Sequence, residues 1–354
     1  MRNLALLISI IFALFSQELK GQNLIAVQNG NTSIFFSDLS EAITASNAGD
    51  TIYIPGGVIN CGNIIINKRL HLIGAGIRPD SSAATKYTLI NGSINVSSDA
   101  DFGSLTGLDI TMTGGGISLN GSVTNYLISR CKFEVLNLGL NSASSSINIF
   151  RENIIGIIEG NGSQNNSFHN NIISRYVAGG YTISGSFNVF RNNIFFLQTP
   201  TACYNAGIGW SEYIYSVLGM TDCSFENNIF LSNNPNFLCN LNDCVFTNNL
   251  FCSDLPSCPN CSSSNNIINQ EQNSIFVNLT GNQFSFSNNY HLNPTSPGKN
   301  AGSDGTDMGI YGGLYPWKDG SIPSNPHIQF QSIGCTPNSS GNLNVNIRVA
   351  AQDR

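Results

Sequence analysis

The block Phe150-Arg151-Glu152-Asn153-Ile154-Ile155 returns as Phe168-His169-Asn170-Asn171-Ile172-Ile173 and as Phe190-Arg191-Asn192-Asn193-Ile194-Phe195. It returns again as Phe225-Glu226-Asn227-Asn228-Ile229-Phe230 and Phe246-Thr247-Asn248-Asn249-Leu250-Phe251. Weaker echoes are Ser264-Asn265-Asn266-Ile267-Ile268 and Phe286-Ser287-Asn288-Asn289-Tyr290. Successive phenylalanines are 18, 22, 35 and 21 residues apart. A repeat of this length is the mark of a solenoid. Each unit holds short β-type runs and turns with no room for a helix, which excludes leucine-rich and helical repeats. The reading is an all-β right-handed parallel β-helix, each coil closed by short strands and tight turns and stacked on the next. Phe and Ile then fill apolar columns. The second Asn of each pair (Asn153, Asn171, Asn193, Asn228, Asn249, Asn266) forms a ladder that satisfies turn groups out of reach of the sheets.

Composition agrees with a fold of many turns. The chain has 354 residues, 50 of them Asn and 35 Gly, the residue types that accept left-handed backbone angles most readily. Only 10% are charged, against 41% hydrophobic, so neutral polar side chains must carry solubility. A net charge of -6 argues against a nucleic-acid partner, which requires a basic face. Arg2 followed by the apolar run from Leu4 to Phe15 reads as a signal peptide over residues 1–21, cut near Gly21–Gln22. The expected product is secreted or held at the cell surface, is monomeric, and has no later membrane span. The ten cysteines follow this segment, and an even count in an exported chain favours disulfides. A thiolate zinc site from Cys252, Cys258 and Cys261 is the competing reading.

Asp38 and Glu41 form a capping box for one helix, whose apolar stripe is Leu39, Ala42 and Ile43. After it, Ala48-Gly49-Asp50-Thr51-Ile52-Tyr53-Ile54-Pro55-Gly56-Gly57 and Leu70-His71-Leu72-Ile73-Gly74-Ala75-Gly76 resemble the entry of pectin-lyase-like right-handed β-helix proteins. That resemblance spans about residues 24–312 and implies a helix that plugs the open end of the stack. Asn293-Pro294-Thr295-Ser296-Pro297-Gly298-Lys299-Asn300-Ala301-Gly302 and Asp307-Met308-Gly309-Ile310-Tyr311-Gly312-Gly313 resemble the closing coil of secreted Bacteroidetes β-helix proteins. The β-helix is expected over residues 22–315. Residues 316–354 follow as a C-terminal cap, with alternating runs at 328–333 and 343–349 pairing as a hairpin over the stack's end.

Chemistry is expected in two places. The residue after each repeat Phe faces outward, giving a row Arg151, His169, Arg191, Glu226, Thr247 in which Arg binds carboxylates and His169 moves a proton. Arg151, His169 and Arg191 are the candidate catalytic residues, and Lys132 and Arg175 are further basic candidates. The long interval before Phe225 carries Tyr204, Trp210, Tyr213 and Tyr215, with Tyr176 and Tyr181 one coil earlier; these six rings are the candidate carbohydrate-binding platform. Asp304 and Asp307 are candidate calcium ligands, a plain Asx turn being the alternative. The acidic pairs of polygalacturonase-type enzymes and the acidic calcium clusters of pectate lyases are both missing. The expected function is a non-catalytic, polysaccharide-binding surface module, with a uronate polysaccharide lyase as the alternative.

Overall fold

The computed structural model describes residues 24–351, except 81–84, 113, 141–142, 179–184, 197–216, 235–237, 240, 257, 259, 320, 325 and 335. The chain is mostly β, with two long sheets built strand by strand in sequence order. The first is made of three-residue strands, among them Ser104–Thr106, Leu127–Ser129, Ile149–Arg151, Ser167–His169, Val189–Arg191, Ser224–Glu226 and Val245–Thr247. Each pairs in parallel with the next, in register, so Phe150, Phe168, Phe190, Phe225 and Phe246 fall opposite one another. The second sheet takes the strand that follows in each winding, for example Lys132–Asn137, Ile154–Glu159 and Ile172–Ala178, again paired in parallel. A third line of parallel bridges runs Thr124, Ser146, Gln164, Ser186, Thr221, Asn242. At the N-terminal edge Ile25–Asn29 pairs antiparallel with both Thr32–Phe36 and Thr51–Tyr53.

The core is columnar. The rings of Phe150, Phe168, Phe190, Phe225 and Phe246 stack with centroids 4.7, 4.6, 5.0 and 4.7 Å apart. Phe195, Phe230 and Phe251 make a second column at 4.6 and 4.7 Å. These spacings match the roughly 4.8 Å separation of hydrogen-bonded strands, so backbone pairing and ring stacking share one repeat. Each stacked pair adds about 0.5–1.5 kcal/mol beyond area burial.

The turn ladder forms as expected. Oδ1 of Asn153, Asn171, Asn193, Asn228, Asn249 and Asn266 each accepts from the backbone N–H at the same place one winding earlier, at 2.8–3.0 Å. Each Nδ2 donates back to a carbonyl of the preceding winding. Asn153, Asn171, Asn193, Asn228 and Asn249 are fully buried. A second ladder at the opposite corner passes from Asn148 to Asn166 to Asn188. The residue before each ladder position takes a left-handed backbone: Arg130, Glu152, Asn170, Asn192, Asn227 and Asn248 at one corner, with φ from 52° to 57°.

Those left-handed residues hold the C-terminal part of the chain. Asn248 Nδ2 donates to Ala301 O, and Asn227 Oδ1 accepts from Ser303 N. Asn192 Nδ2 donates to Asp307 O and Gly309 O, and Asn170 Nδ2 to Ile310 O and Gly312 O. Arg130 Nη1 donates to Ile322 O at 2.7 Å, and Arg130 is itself paired with buried Glu152. Residues 301–322 therefore form a strap that runs back along the windings, opposite to their order. This differs from the expected closing coil: successive backbone carbonyls of the strap accept from side chains of several windings instead of from a strand partner.

The helix forms over Leu39–Ala45, capped by Asp38, whose Oδ1 accepts from Glu41 N at 2.9 Å. Its Leu39, Ala42 and Ile43 join the main core. The echo at Phe286 takes no place in the columns. There Asn289–Leu292 pairs antiparallel with Phe276–Asn278, and Phe284, Phe286 and Tyr290 pack on one another in a side lobe. The C-terminal hairpin pairs His327–Ile333 with Val345–Ala350, and its Ile333, Val345, Ile347 and Val349 remain exposed.

Candidate functional site

A recess lies on the outer face of the second sheet, a cavity of about 430 Å³ closed on one side by the lobe. Its floor comes from consecutive windings. Lys132 and Glu134 stand two residues apart on one face of Lys132–Asn137, and Asp109 lies in register beside Lys132. Lys132 Nζ is 3.4 Å from Asp109 Oδ2, and Asp109 Oδ1 accepts from Thr111 N at 3.1 Å and Thr111 Oγ1 at 2.6 Å. Arg175 pairs with Glu134 across the winding between them. That winding offers Gly156, where a Cβ would run into the Glu134 carbonyl. Gly156 thus keeps the floor open between the two charged side chains. Gln283 and Phe284 form the wall. Phe284 also borders a smaller recess of about 40 Å³ with Arg78, Tyr311, Trp317 and Asp319. The recess offers an aromatic wall with two cations and one carboxylate, Lys132 being balanced by buried Asp109 and Arg175 by Glu134. Such a surface suits a neutral or weakly charged polyol: hydroxyls bridge the charged groups, and an apolar ring face lies on Phe284.

The row after the repeat phenylalanines also forms, with Arg151, His169, Arg191, Glu226 and Thr247 in successive register. It is not an open face. Tyr315 of the strap lies over it, 4.6 Å from the Arg151 guanidinium and 5.4 Å from the His169 ring. Arg191 Nε donates to Glu226 Oε2 at 2.8 Å, and Ser303 Oγ donates to Glu226 Oε1. Burial, then the positive charges of Arg191 and Arg151, push the His169 imidazole down to about 4. His169 is therefore neutral at pH 7, which leaves it a weak base and removes the imidazolium as a proton donor.

The remaining candidates fall as follows. Lys132 and Arg175, separate in sequence, meet in the recess. Tyr181, Tyr204, Trp210, Tyr213 and Tyr215 lie outside the described residues. Tyr176 pairs through its backbone with Ile157, and its side chain lies outside the description. Asp304 Oδ1 accepts from Thr306 N and Oγ1 at 3.0 and 2.7 Å, an Asx turn. Asp307 accepts from Lys299 Nζ at 2.6 Å and Asn300 N at 2.9 Å. Among the described residues no three His, Cys, Asp or Glu side chains are grouped as metal ligands. Cys258 and Cys261 are joined as a disulfide, which removes two of the three thiolates of the zinc reading. No helix among the described residues is long and apolar enough to cross a membrane.

Sequence reasoning missed the recess. Its acidic member Glu134, and Asp109 that pairs with Lys132 behind it, lie outside the Phe-x-Asn-Asn pattern, and its wall comes from an echo that takes no place in the columns. The one available signal was the pair of lone cations, Lys132 and Arg175.

No family model matches the chain, and no curated protein matches it.

Proposed function

We propose that the chain is an exported right-handed parallel β-helix of the pectin-lyase-like kind that binds a polysaccharide at the recess between the second sheet and the lobe, without cleaving it. Three lines of in-register parallel pairing, repeating once per winding, support the β-helix reading, and parallel crossovers are right-handed in nearly all proteins. The helix over Leu39–Ala45 is its N-terminal plug. The apolar run after Arg2 supports export. The observation that carries the binding reading is the recess itself: Phe284 with Lys132, Glu134 and Arg175 around a space large enough for a sugar unit. The burial of His169 under Tyr315 and its weakened basicity weigh against the lyase alternative, which needs an accessible base.

The test is a glycan array on the mature protein, followed by calorimetric titration of the best ligand. Phe284→Ala and Arg175→Ala should each weaken binding about tenfold or more, equivalent to about 1.4 kcal/mol. A uronate polymer should yield no unsaturated product by ultraviolet absorbance. Unsaturated product that disappears in Arg191→Ala, His169→Ala would overturn the non-catalytic reading. Unchanged affinity in both recess variants would remove the recess as the site.

A further inference from the structure

Four of the cysteines meet at the second ladder corner. The ladder residue precedes each short strand of the first sheet: Asn148, Asn166 and Asn188, then Cys223, Cys244 and Cys261. The strands that follow are paired in parallel and in register, Val189 with Ser224, Ser224 with Val245 and Val245 with Ser262. The three sulfurs therefore replace three asparagine oxygens in one column. The last of them makes the ladder bond itself. Cys244 N donates to Cys261 Sγ at 3.3 Å. Cys223 and Cys244 are fully buried, while Cys258 and Cys261 are half-buried at the last winding.

The chemistry along this column is graded. The Cys223 thiol donates to the Cys244 sulfur; this bond and burial push Cys223 up. The same contact lowers Cys244, against its burial. Cys244 is the thiol that adjoins the disulfide in the column, its backbone N–H already bonded to Cys261 Sγ, and the thiolate is the attacking form. One ladder step beyond it sits a disulfide sulfur. A step of roughly 4.8 Å lies inside the Cα separation that a disulfide spans, about 4.4–6.8 Å.

We propose that Cys223, Cys244, Cys258 and Cys261 form a thiol–disulfide exchange site, in which Cys244 Sγ attacks Cys261 Sγ and releases Cys258. The Cys258–Cys261 bond breaks and a Cys244–Cys261 bond forms. The proton of the Cys244 thiol passes to the departing Cys258 sulfur, and no electrons enter or leave. The exchange converts a sequestered thiol into one at the last winding, where a small thiol or a partner's disulfide can reach it.

The experiment is timed labelling of the folded, mature protein with a small maleimide, an acid quench and mass mapping of the non-reduced digest. In the wild type, label should build up on Cys258 together with a Cys244–Cys261 cross-link. Cys244→Asn restores the residue found at Asn188 in the same column, and should slow Cys258 labelling at least tenfold while leaving the Cys258–Cys261 bond intact. Cys258→Ser should give a Cys244–Cys261 disulfide after mild oxidation. Equal Cys258 labelling in wild type and Cys244→Asn would overturn the proposal. So would a disulfide that stays wholly at Cys258–Cys261 with Cys258 unlabelled.

Discussion

The two Asn of each repeat are neighbours with different tasks. The first takes a left-handed backbone angle, which Asn tolerates better than most residues, and its amide reaches out to the strap. The second turns inward and supports the backbone of the winding before it. Asn193 illustrates the cost of losing the inner one. Asn193→Ala would take the side-chain partner from Asn171 N and from the Phe168 carbonyl, while Asn171 Nδ2 keeps Phe150 O and Asn228 Oδ1 keeps Asn193 N. At about 1–3 kcal/mol for each unsatisfied buried group, the loss should be about 2–6 kcal/mol in urea denaturation. A loss under about 1 kcal/mol would mean that the ladder does not support the turn. His169 gives a pH-dependent counterpart. Its folded value lies near 4, below the ordinary 6.5, so between these values the unfolded chain binds the proton and the folded protein does not. Its contribution is present above about pH 6.5, falls as the pH drops toward 4, and amounts to at most about 3 kcal/mol. Denaturation of wild type and His169→Gln across this window should show the wild type losing more stability on acidification, and parallel curves would contradict it.

At the scale of the element, the strap is the part that sequence reading described least well. Its residues resemble a closing coil, and the repeat pattern assigned no task to the first Asn of each pair. Long-range docking of an irregular segment leaves no periodic signal, because its partners are 50 to 190 residues away in sequence. The repeated strands, by contrast, were legible because each position does the same work every 17 to 22 residues, with one interval of 35. The recess was legible only in part. Lys132 and Arg175 stood out as lone cations, but their partners are set by strand register and by the lobe, which no local pattern encodes. The strap's anchor is the buried Arg130–Glu152 pair, which also holds Ile322 O. Glu152→Ala leaves a buried guanidinium without its carboxylate, and should cost about 3–5 kcal/mol. Hydrogen exchange should also speed up around residues 310–322. Unchanged exchange there would place the strap's hold elsewhere.

For the whole molecule, the proposed β-helix ties length to winding number. Adding a winding adds one short strand, one ladder residue and one ring to each column, so core and backbone pairing grow together. The low charge follows from this geometry, because the turn corners use Asn amides where a globular surface would use ions. The distance along one column gives the most direct test. Ser104 and Val245 occupy the same register position six windings apart, through Leu127, Ile149, Ser167, Val189 and Ser224. Spin labels introduced at Ser104 and Val245 through an unnatural amino acid, which leaves the native cysteines untouched, can be measured by pulsed dipolar spectroscopy. A linear stack predicts a single narrow distance of about 29 Å, six steps of roughly 4.8 Å. A distance well below 20 Å, as in a sheet that curls and closes on itself, or a broad distribution would contradict the stacked-winding account.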